Sequence, residues 1–334
     1  CSDMYNQGLG TTADSEHTVA TSLYPLENGR VFQKYFRNQW NSLYQEVKKE
    51  GYYTSFMHPN VNTFWNRYEV YKGGYKVDQY EDITQFQTNG EMAGEFFSDE
   101  QFLTQSINKM RQYKEPFCTM LVAISTHTPY SLDGIQDIEC KVTINTEGLE
   151  SEELEKYLKS CNFVDYSFGR FMEELEKTEL LKNSIVVVYG DHGAGVQDTK
   201  AIQKLYEQNR QPYNSSIERL ENVHVPFGLK IPNWNGIKRI DKTVSKLDVK
   251  PTILDLLGIQ DTISLGKSIF IAQDSSFIKG IGFVTSENYY IDGEYIDRQA
   301  NAVRLKDDKL EELTEQMEQE FYFSDTLIRN NLLK

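Results

Sequence analysis

A carboxylate and an imidazole stand side by side in the sequence Gly-Asp-His-Gly at positions 190–193. The five residues before it, 185–189, are apolar and β-prone, which predicts a short strand buried on both faces. In an open α/β sheet, ligands bind at the carboxyl ends of strands. Asp191 and His192 are therefore candidate ligands of a divalent metal. The alternative is a tight turn in which Asp191 caps the next element.

Two adjacent threonines, Thr11 and Thr12, follow a segment that contains Gly8 and Gly10 and precede a predicted helix. A hydroxyl at a helix N-terminus faces free backbone N–H groups and the positive end of the helix dipole. That environment stabilises an alkoxide and binds phosphate or sulfate. The simpler interpretation of the residues alone is that one of the two threonines caps the helix.

Three apolar segments, each typical of a buried strand, are followed by a histidine: His58, His127 and His192. One such histidine carries little information, but the repetition predicts a shared crevice at the carboxyl ends of the strands. A further histidine, His224, lies within a predicted strand at 223–232. It could be a ligand or could pack in the core, and the sequence leaves both open.

The segment after His58 also contains Trp65 and Arg67. These three residue types are suited to holding an anionic or hydroxylated ligand, because a guanidinium binds phosphate through two parallel hydrogen bonds. The alternative is a surface loop with an aromatic plug. The residues alone do not decide between the two.

The remaining pattern predicts an α/β fold. An amphipathic helix is expected at 31–50, and a long helix at 154–181 leads into the strand at 185–189, which indicates a βαβ unit and parallel pairing. From residue 265 the segments become short and β-prone, with a charged helix at about 306–331. We therefore expect a large domain at 1–264 and a small antiparallel subdomain with a covering helix at 265–334.

Charge and composition limit the partners of the 334-residue chain. A formal net charge of −15 argues against nucleic acid and against broad adhesion to an anionic membrane. An anionic substrate would need a local cationic site, such as a metal with an Arg or Lys. The sequence has no apolar run of 18 residues, and because its first residues are polar we expect no signal peptide in them. We expect either a cytoplasmic protein or a soluble piece separated from its targeting segment.

The four cysteines show no CxxC spacing, and Cys118 lies in an apolar segment. A buried free thiol is therefore expected at Cys118 rather than a disulfide. The cysteines do not determine the compartment.

Taken together and in order, the motifs resemble those of lipoteichoic acid synthase ectodomains, within the sulfatase branch of the alkaline phosphatase-like superfamily. The resemblance extends along nearly the whole chain and predicts that superfamily's mostly parallel sheet flanked by helices. It is carried by residues 10–16, 57–58, 63–67, 126–129, 189–193 and 248–259.

The resemblance implies a metal-dependent phosphoglycerol transferase. Thr12 would attack the phosphorus of a phosphatidylglycerol headgroup and release diacylglycerol. The phosphoglycerol group on the threonine would then pass to the terminal hydroxyl of a growing polyglycerolphosphate chain. Thr12, Asp191 and His192 match metal ligands, and the implied metal is Mn²⁺, with Mg²⁺ as a substitute. Coordination and a helix N-terminus would both make the hydroxyl a better nucleophile.

The same resemblance assigns His58, Trp65, Arg67 and His127 to the glycerol-phosphate pocket. Arg67 and the metal would offset the charge of the phosphoryl oxygens. His127 could donate a proton to the leaving oxygen or orient the acceptor, and the sequence does not decide between these roles.

The sequence departs from the family pattern at its start. A first strand with a metal-binding glutamate is expected some tens of residues before Thr12, and eleven residues precede Thr12 here. The resemblance therefore predicts a fragment without that strand, without one metal ligand and without membrane-spanning helices. The implied location is the extracellular face of a bacterial membrane. Weak Mn²⁺ binding by these 334 residues is expected.

Two other readings remain. One is a related enzyme of the same fold: a sulfatase, a phosphodiesterase or a phosphoethanolamine transferase. Sulfatases normally need Cys/Ser-x-Pro-x-Arg, and residues 12–16 offer neither the Pro nor the Arg. The other is a non-catalytic domain that binds headgroups, which the expected loss of a ligand would favour and the presence of Thr12, Asp191 and His192 would not.

Overall fold

A computed structural model describes residues 3–8, 10–88, 90–208, 215–234, 236–298, 301, 303 and 308–333. Its helices are α1 Thr12–Thr21, α2 Val31–Lys34, α3 Leu43–Lys49, α4 Asp99–Met110, α5 Ile138–Lys141, α6 Glu152–Lys177, α7 Thr199–Gln208, α8 Ser215–Glu221, α9 Val249–Leu257 and α10 Asp308–Asn330. Among the described residues, no helix combines the length and the apolar character that crossing a bilayer requires.

The strands form several small sheets. They are β1 Met4–Tyr5, β2 Tyr53–Met57, β3 Gln79–Glu81, β4 Met92–Ala93, β5 Phe96–Phe97, β6 Phe117–Leu121, β7 Val186–Tyr189, β8 His224–Val225, β9 Phe227–Lys230, β10 Val244–Ser245, β11 Ser276–Ile278, β12 Gly282–Val284, β13 Asn288–Ile291 and β14 Glu294–Asp297. Strand β2 pairs in parallel with β3 and β6, and β1 pairs in parallel with β10. Strands β11 to β14 form an antiparallel sheet. The predicted α/β class and the C-terminal antiparallel unit are confirmed.

The long helix α6 lies between β6 and β7 in the chain, as predicted, but β7 pairs in antiparallel with β9 and, among the described residues, not with β6, so the predicted parallel pairing is wrong. Ser151 begins it by accepting a hydrogen bond from the backbone of Leu154 at 3.3 Å. Its apolar residues Phe171 and Leu175 pack with Phe102 and other residues of α4. This packing covers one face of the β2–β6 sheet and fixes the loops that leave its carboxyl end.

Strand β7 differs from its prediction. Val187 and Tyr189 pack against an apolar cluster with Phe227 of β9, but Val188 is 36% exposed. In the described part of the chain, β7 pairs only with β9, and β6 pairs only with β2. The expectation of burial on both faces is wrong, because a parallel strand is fully covered only when it has neighbours on both sides.

The predicted helix at 31–50 is two short helices, α2 and α3. Ser42 starts the second one with a capping box, in which its side chain accepts from the backbone of Gln45 and the Gln45 side chain accepts from the backbone of Ser42. In the loop between the helices, Asn38 Nδ2 donates to the carbonyl oxygen of Ile328 at 2.6 Å. A local start signal and a distant contact therefore override the continuous apolar pattern.

Apolar clusters cross the predicted boundary between residues 264 and 265. Ala13 and Ala20 of α1 belong to one cluster with Leu327 and Ile328 of α10. Tyr5 of β1 belongs to another that contains residues of β11, β12 and β13. The two-unit division stays a prediction, but each unit completes the core of the other.

The cysteine prediction can be compared with three of the four residues. Cys118, Cys140 and Cys161 are free. Burial raises the pKa of the Cys118 thiol to about 12, which keeps it uncharged and unreactive. Cys1 lies outside the described residues.

A buried histidine in α1 makes stability depend on pH. His17 is fully buried, its Nδ1 lies 3.2 Å from the Tyr75 hydroxyl, and its ring packs edge-to-face on Trp40. Burial lowers the pKa of His17 to about 3. The unfolded chain therefore binds this proton below pH 6.5 while the folded chain does not, so stability is lost as pH falls through that window.

Replacing His17 tests this. Relative to His17→Gln, the unfolding free energy of the native protein should fall by about 1.4 kcal/mol for each pH unit below 6.5. Urea titrations of both proteins at pH 7, 6 and 5 measure the difference. If the unfolding free energies of the two proteins changed equally between pH 7 and pH 5, His17 would be taking up a proton in the folded state.

Candidate active site

The loop after β7 places Asp191 and His192 as the sequence predicts. The Gly190 N–H donates to the carbonyl oxygen of Pro226 at 2.9 Å, which fixes the end of the strand. Asp191 Oδ1 accepts from the backbone of His192 at 2.9 Å, and Asp191 Oδ2 lies 3.4 Å from His192 Nε2. The carboxylate and the imidazole therefore converge on one partly exposed point.

The tautomer of His192 is set by its second ring nitrogen. His192 Nδ1 donates to the carbonyl oxygen of Gly193 at 2.9 Å, so that Nε2 of the neutral ring carries the lone pair. A Cβ at Gly193 would lie 1.4 Å from the Asn222 carbonyl oxygen, so only glycine fits there. The loop thus presents Nε2 and a carboxylate oxygen together, as metal ligands must be presented.

Helix α1 begins at Thr12, and Thr11 is its N-cap. Thr11 Oγ1 accepts from the backbone of Asp14 at 3.3 Å and donates to Asp14 Oδ2 at 2.8 Å. Thr11 is thereby used for capping, while Thr12 is the first helical residue and stays partly exposed. The capping role therefore falls on Thr11, and the role of Thr12 as nucleophile stays a prediction.

Gly10 connects the start of α1 to the loop after β7. Its φ is +97°, and a Cβ at this position would lie 3.6 Å from His192 Cβ. Gly10, the segment 192–195 and Asn222 line an open cavity of about 310 Å³. Gly10, two residues before the nucleophile candidate Thr12, and the ligand candidate His192 therefore border the same open space.

Arg67 lies in the interior and not on a surface loop. The side chain is 1% exposed and makes a bidentate ion pair with Glu16, which is 2% exposed, with Nη2 2.7 Å from Glu16 Oε1. The Tyr71 hydroxyl donates to the same carboxylate at 3.0 Å. Burial raises the pKa of Glu16, and the Arg67 guanidinium opposes that rise. The interpretation of Arg67 as part of a surface loop is wrong.

One nitrogen of Arg67 has no partner. Nη1 is buried and forms no hydrogen bond within the described part of the chain. The ring of Trp65 lies 5.8 Å from the guanidinium carbon, and the guanidinium of Arg30 lies 4.7 Å from the same ring. Trp65 and Asn66 both have left-handed backbone, with φ of +57° and +56°. An unsatisfied donor beside strained backbone is typical of a functional loop.

His58 and His127 follow β2 and β6, which are parallel neighbours. His58 Nδ1 donates to the carbonyl oxygen of Val122 at 2.9 Å, which leaves Nε2 as an acceptor. Burial lowers the pKa of His58 to about 3, and the charges of Arg67 and His127 add to the decrease. His127 is exposed, its Nδ1 donates to the carbonyl oxygen of Thr128 at 2.8 Å, and its ring packs edge-to-face on Phe96.

Electrostatic contacts join the two groups of candidates. Arg67 acts on His58 and pairs with Glu16, while Asp191 contributes to the rise in the pKa of Glu16. Glu16 is thus coupled electrostatically both to Arg67 and to Asp191. The shared crevice of His58, His127 and His192 stays a prediction, because among the described residues β7 lies in a different sheet from β2 and β6.

His224 belongs to a different group. Its ring stacks on Tyr5 at 4.7 Å, and its two nitrogens lie 3.4 Å from Asp3 Oδ1 and 3.6 Å from Glu221 Oε2. These contacts direct both nitrogens to Asp3 and Glu221. They favour packing over a ligand role at Asp191.

The donor set fits a divalent cation incompletely. Asp191 and His192 present an oxygen and a nitrogen at one point, and the Thr12 hydroxyl is the third candidate. Within the described ranges, no group of three or more His, Cys, Asp or Glu side chains is arranged to hold a metal ion. The metal assignment and the expected weak binding of Mn²⁺ both stay predictions.

Three residues of this region were not predicted from the sequence. Glu16 lies within the motif at 10–16, which predicts no role for it. Asp99 accepts hydrogen bonds from the backbones of Ile124 and Ser125 and so fixes the loop that leads to His127. Lys246 is buried beneath the Asp191 loop, and burial lowers its pKa to about 7. Neither Asp99 nor Lys246 has a local sequence signal, because charged residues at helix starts are usually exposed.

Comparison with known proteins agrees with this architecture. The family model described as Sulfatase matches residues 2–259. The chain is 29% identical, over 344 aligned residues, to the lipoteichoic acid synthase of Staphylococcus saprophyticus. The alignment covers 99% of this chain and 51% of that protein, so the chain spans about half the length of this relative.

Solved structures show the same fold. The lipoteichoic acid synthase LtaP from Listeria monocytogenes superimposes with a TM-score of 0.86 at 23% identity, over 98% of this chain and 83% of that one. The Streptococcus pyogenes phosphoglycerol transferase GacH, in complex with sn-glycerol-1-phosphate, matches with a TM-score of 0.52 at 18% identity, over 76% and 65% of the two chains. Since the Sulfatase model matches more than three quarters of its residues, this chain belongs to the sulfatase family.

Proposed function

We propose that this chain is the catalytic part of a phosphoglycerol transferase, which moves glycerol phosphate from phosphatidylglycerol to a growing polyglycerolphosphate chain. Relatives named lipoteichoic acid synthase, and a fold neighbour that binds glycerol phosphate, support this substrate class. The partners of the whole protein would be the phosphatidylglycerol headgroup, the polymer acceptor and the membrane. The site would act at the extracellular face of a bacterial membrane.

The single observation that carries the proposal is the unpartnered Nη1 of Arg67. A buried donor without an acceptor costs about 1–3 kcal/mol, and an anion that reaches it would recover that cost. Glu16 already pairs with one side of the Arg67 guanidinium through two hydrogen bonds. This pair holds the guanidinium in a fixed orientation. Because Nη1 is closed to solvent, a phosphate group reaches it only after a neighbouring side chain moves, and we propose that this side chain is Trp65, whose ring lies 5.8 Å from the guanidinium carbon.

Thr12 is the proposed nucleophile. Thr12 Oγ1 loses its proton and forms a bond to the phosphorus, the bond between phosphorus and the diacylglycerol oxygen breaks, and that oxygen takes up a proton, so that one proton is released for each one taken up. The start of α1 favours the negative charge that develops on Oγ1, because its free N–H groups and dipole point there. The Thr11 hydroxyl is hydrogen-bonded to Asp14, so we assign the reaction to the adjacent hydroxyl of Thr12.

The residues that would hold the metal are Thr12, Asp191 and His192, and a bound Mn²⁺ or Mg²⁺ would supply positive charge for the phosphoryl oxygens and the threonine oxygen. His58 stays neutral at pH 7 and offers Nε2 as an acceptor for a glycerol hydroxyl. His127 donates through Nδ1 to a carbonyl, so its neutral ring offers Nε2 as a base. That suits removal of the proton from the acceptor hydroxyl when the phosphoglycerol group leaves Thr12.

A matched pair of histidine variants tests the metal assignment. His192→Gln should weaken Mn²⁺ binding at least about tenfold, because it removes a nitrogen ligand. His224→Gln should leave the affinity unchanged, because His224 faces Asp3 and Glu221. Calorimetric Mn²⁺ titration measures both. A larger loss of Mn²⁺ affinity in His224→Gln than in His192→Gln would place the metal site at His224, Asp3 and Glu221 instead.

Turnover of a fluorescent phosphatidylglycerol tests the activity itself. With Mn²⁺ present, we expect release of diacylglycerol and transfer to a glycerol-phosphate acceptor, both abolished by chelation. An aryl sulfate under the same conditions should stay intact. Hydrolysis of the sulfate without cleavage of the lipid would replace this proposal with a sulfatase activity.

A further inference from the structure

Lys246 lies in the interior beneath the proposed site. Its side chain is 0% exposed, and it belongs to a short 3₁₀ turn, Lys246–Asp248, which Ser245 begins by accepting a hydrogen bond from the backbone of Leu247. Lysine is almost never fully buried unless it is paired, since moving an ammonium group out of water is costly. The contacts that compensate for this burial therefore indicate what the residue does.

The ammonium group has three acceptors from three separate segments. Nζ donates to the carbonyl oxygen of Asp191, to Ser15 Oγ at 2.8 Å and to Asn6 Oδ1 at 3.3 Å. An ammonium group has three donors, so each is used. No carboxylate among the described residues forms an ion pair with Lys246, although Asp191 lies close enough to favour the charged form. The ring of Tyr189 lies 5.5 Å from Nζ and completes the enclosure.

These three acceptors belong to the segments that carry or adjoin the proposed catalytic residues. Asp191 is a proposed metal ligand, and it is held here by its backbone, so that its carboxylate stays free. Ser15 is one helical turn after Thr12 and lies on the same side of α1. Asn6 belongs to the segment between β1 and Gly10, where its Nδ2 donates to the Gly8 carbonyl oxygen at 3.1 Å. The Lys246 ammonium group thus joins the segment after β1, helix α1 and the loop after β7.

We propose that Lys246 is a positioning residue of the transfer reaction, which fixes the Asp191 loop relative to the start of α1. Its consequence for rate rests on the proposed function, but its consequence for loop order does not. Because Lys246 is fully buried and its donors are taken by Asn6, Ser15 and Asp191, its removal should act on the catalytic step more than on binding. A displacement of about 1 Å between reacting groups is enough to cost about 10²-fold in rate.

The experiment compares three variants of the full chain. Lys246→Met keeps the length and removes the donors, and Lys246→Gln keeps an amide donor. Lys250→Met is the matched control, because Lys250 is also 0% exposed and is held by Asn41 Oδ1 at 2.9 Å and by the Ile263 carbonyl oxygen at 2.7 Å, away from the site. Diacylglycerol release gives kcat and KM, melting curves give stability, and deuterium uptake reports on residues 190–195.

For Lys246→Met we expect kcat to fall about 10²-fold with KM unchanged, together with faster deuterium uptake at 190–195. Lys246→Gln should partly restore kcat and the slow deuterium uptake at 190–195. Lys250→Met should leave kcat and this uptake unchanged, whatever its melting temperature. Native kcat and native uptake in Lys246→Met would overturn the proposal, as would equal uptake in both methionine variants. If the native protein releases no diacylglycerol, the proposed function fails, and the uptake comparison alone still decides the positioning role.

Discussion

Thr12→Ala is expected to lower the rate of diacylglycerol release by at least about 10³-fold, because it removes the atom that forms the bond to phosphorus. Mass spectrometry of the native protein, after incubation with a phosphatidylglycerol analogue, should show a phosphoglycerol adduct on the peptide that contains Thr12. The variant should show no adduct. The loss is expected without a large change in stability, since the Thr12 side chain is partly exposed.

The adjacent Thr11→Ala is the control for this prediction. Its side chain caps α1 through Asp14, so its removal should cost about 1 kcal/mol of stability. Transfer should continue, because Thr11 does not react. The pair therefore separates capping from catalysis in neighbouring hydroxyls. An adduct that persists in Thr12→Ala, or one found on Thr11, would contradict the assignment.

The second large effect concerns Arg67. Arg67→Met should destabilise the protein by about 3–5 kcal/mol, because it leaves the Glu16 carboxylate buried without its partner. It should also abolish transfer. The double variant Glu16→Gln with Arg67→Met should recover most of the stability, since the charge is removed together with its partner. Denaturant titration measures the first quantity and diacylglycerol release the second.

The double variant distinguishes a binding role from a structural one. If Arg67 holds the phosphate, restored stability leaves the activity lost. Arg67→Lys should also lose most activity, because an ammonium group cannot reproduce the fork that contacts Glu16 and a phosphate together. A stable double variant that still transfers phosphoglycerol would show that Arg67 serves only to neutralise Glu16.

The order of motifs was enough to predict the fold, because several of them lie at the end of a strand or the start of a helix, where local pattern is informative. The Asp191 and His192 loop and the helix start at Thr12 are of this kind. The sequence did not reveal that Arg67 is buried, since its partner Glu16 is 51 residues away and ion pairs leave no local pattern.

The remaining differences have the same cause. The helix expected at 31–50 is interrupted where Asn38 contacts the backbone of Ile328, which is 290 residues away. Lys246 reads as an ordinary charged residue at a helix start, and its burial follows only from the packing of three distant segments around it. Contacts between distant parts of the chain thus account for what local periodicity could not predict.

The contact between α10 and the beginning of the chain bears on how the protein is made. Ser324 donates to the carbonyl oxygen of Tyr24 across 300 residues, and Leu327 and Ile328 cover the same cluster as Ala13 and Ala20. During synthesis the N-terminal segments leave the ribosome first, at about 5–20 residues per second. The apolar side of α1 is therefore synthesised several hundred residues before Leu327 and Ile328, which cover it. The nascent chain has an exposed apolar surface during that interval, which a chaperone can shield, and the helix that carries Thr12 reaches its final surroundings only after Leu327 and Ile328 have been synthesised.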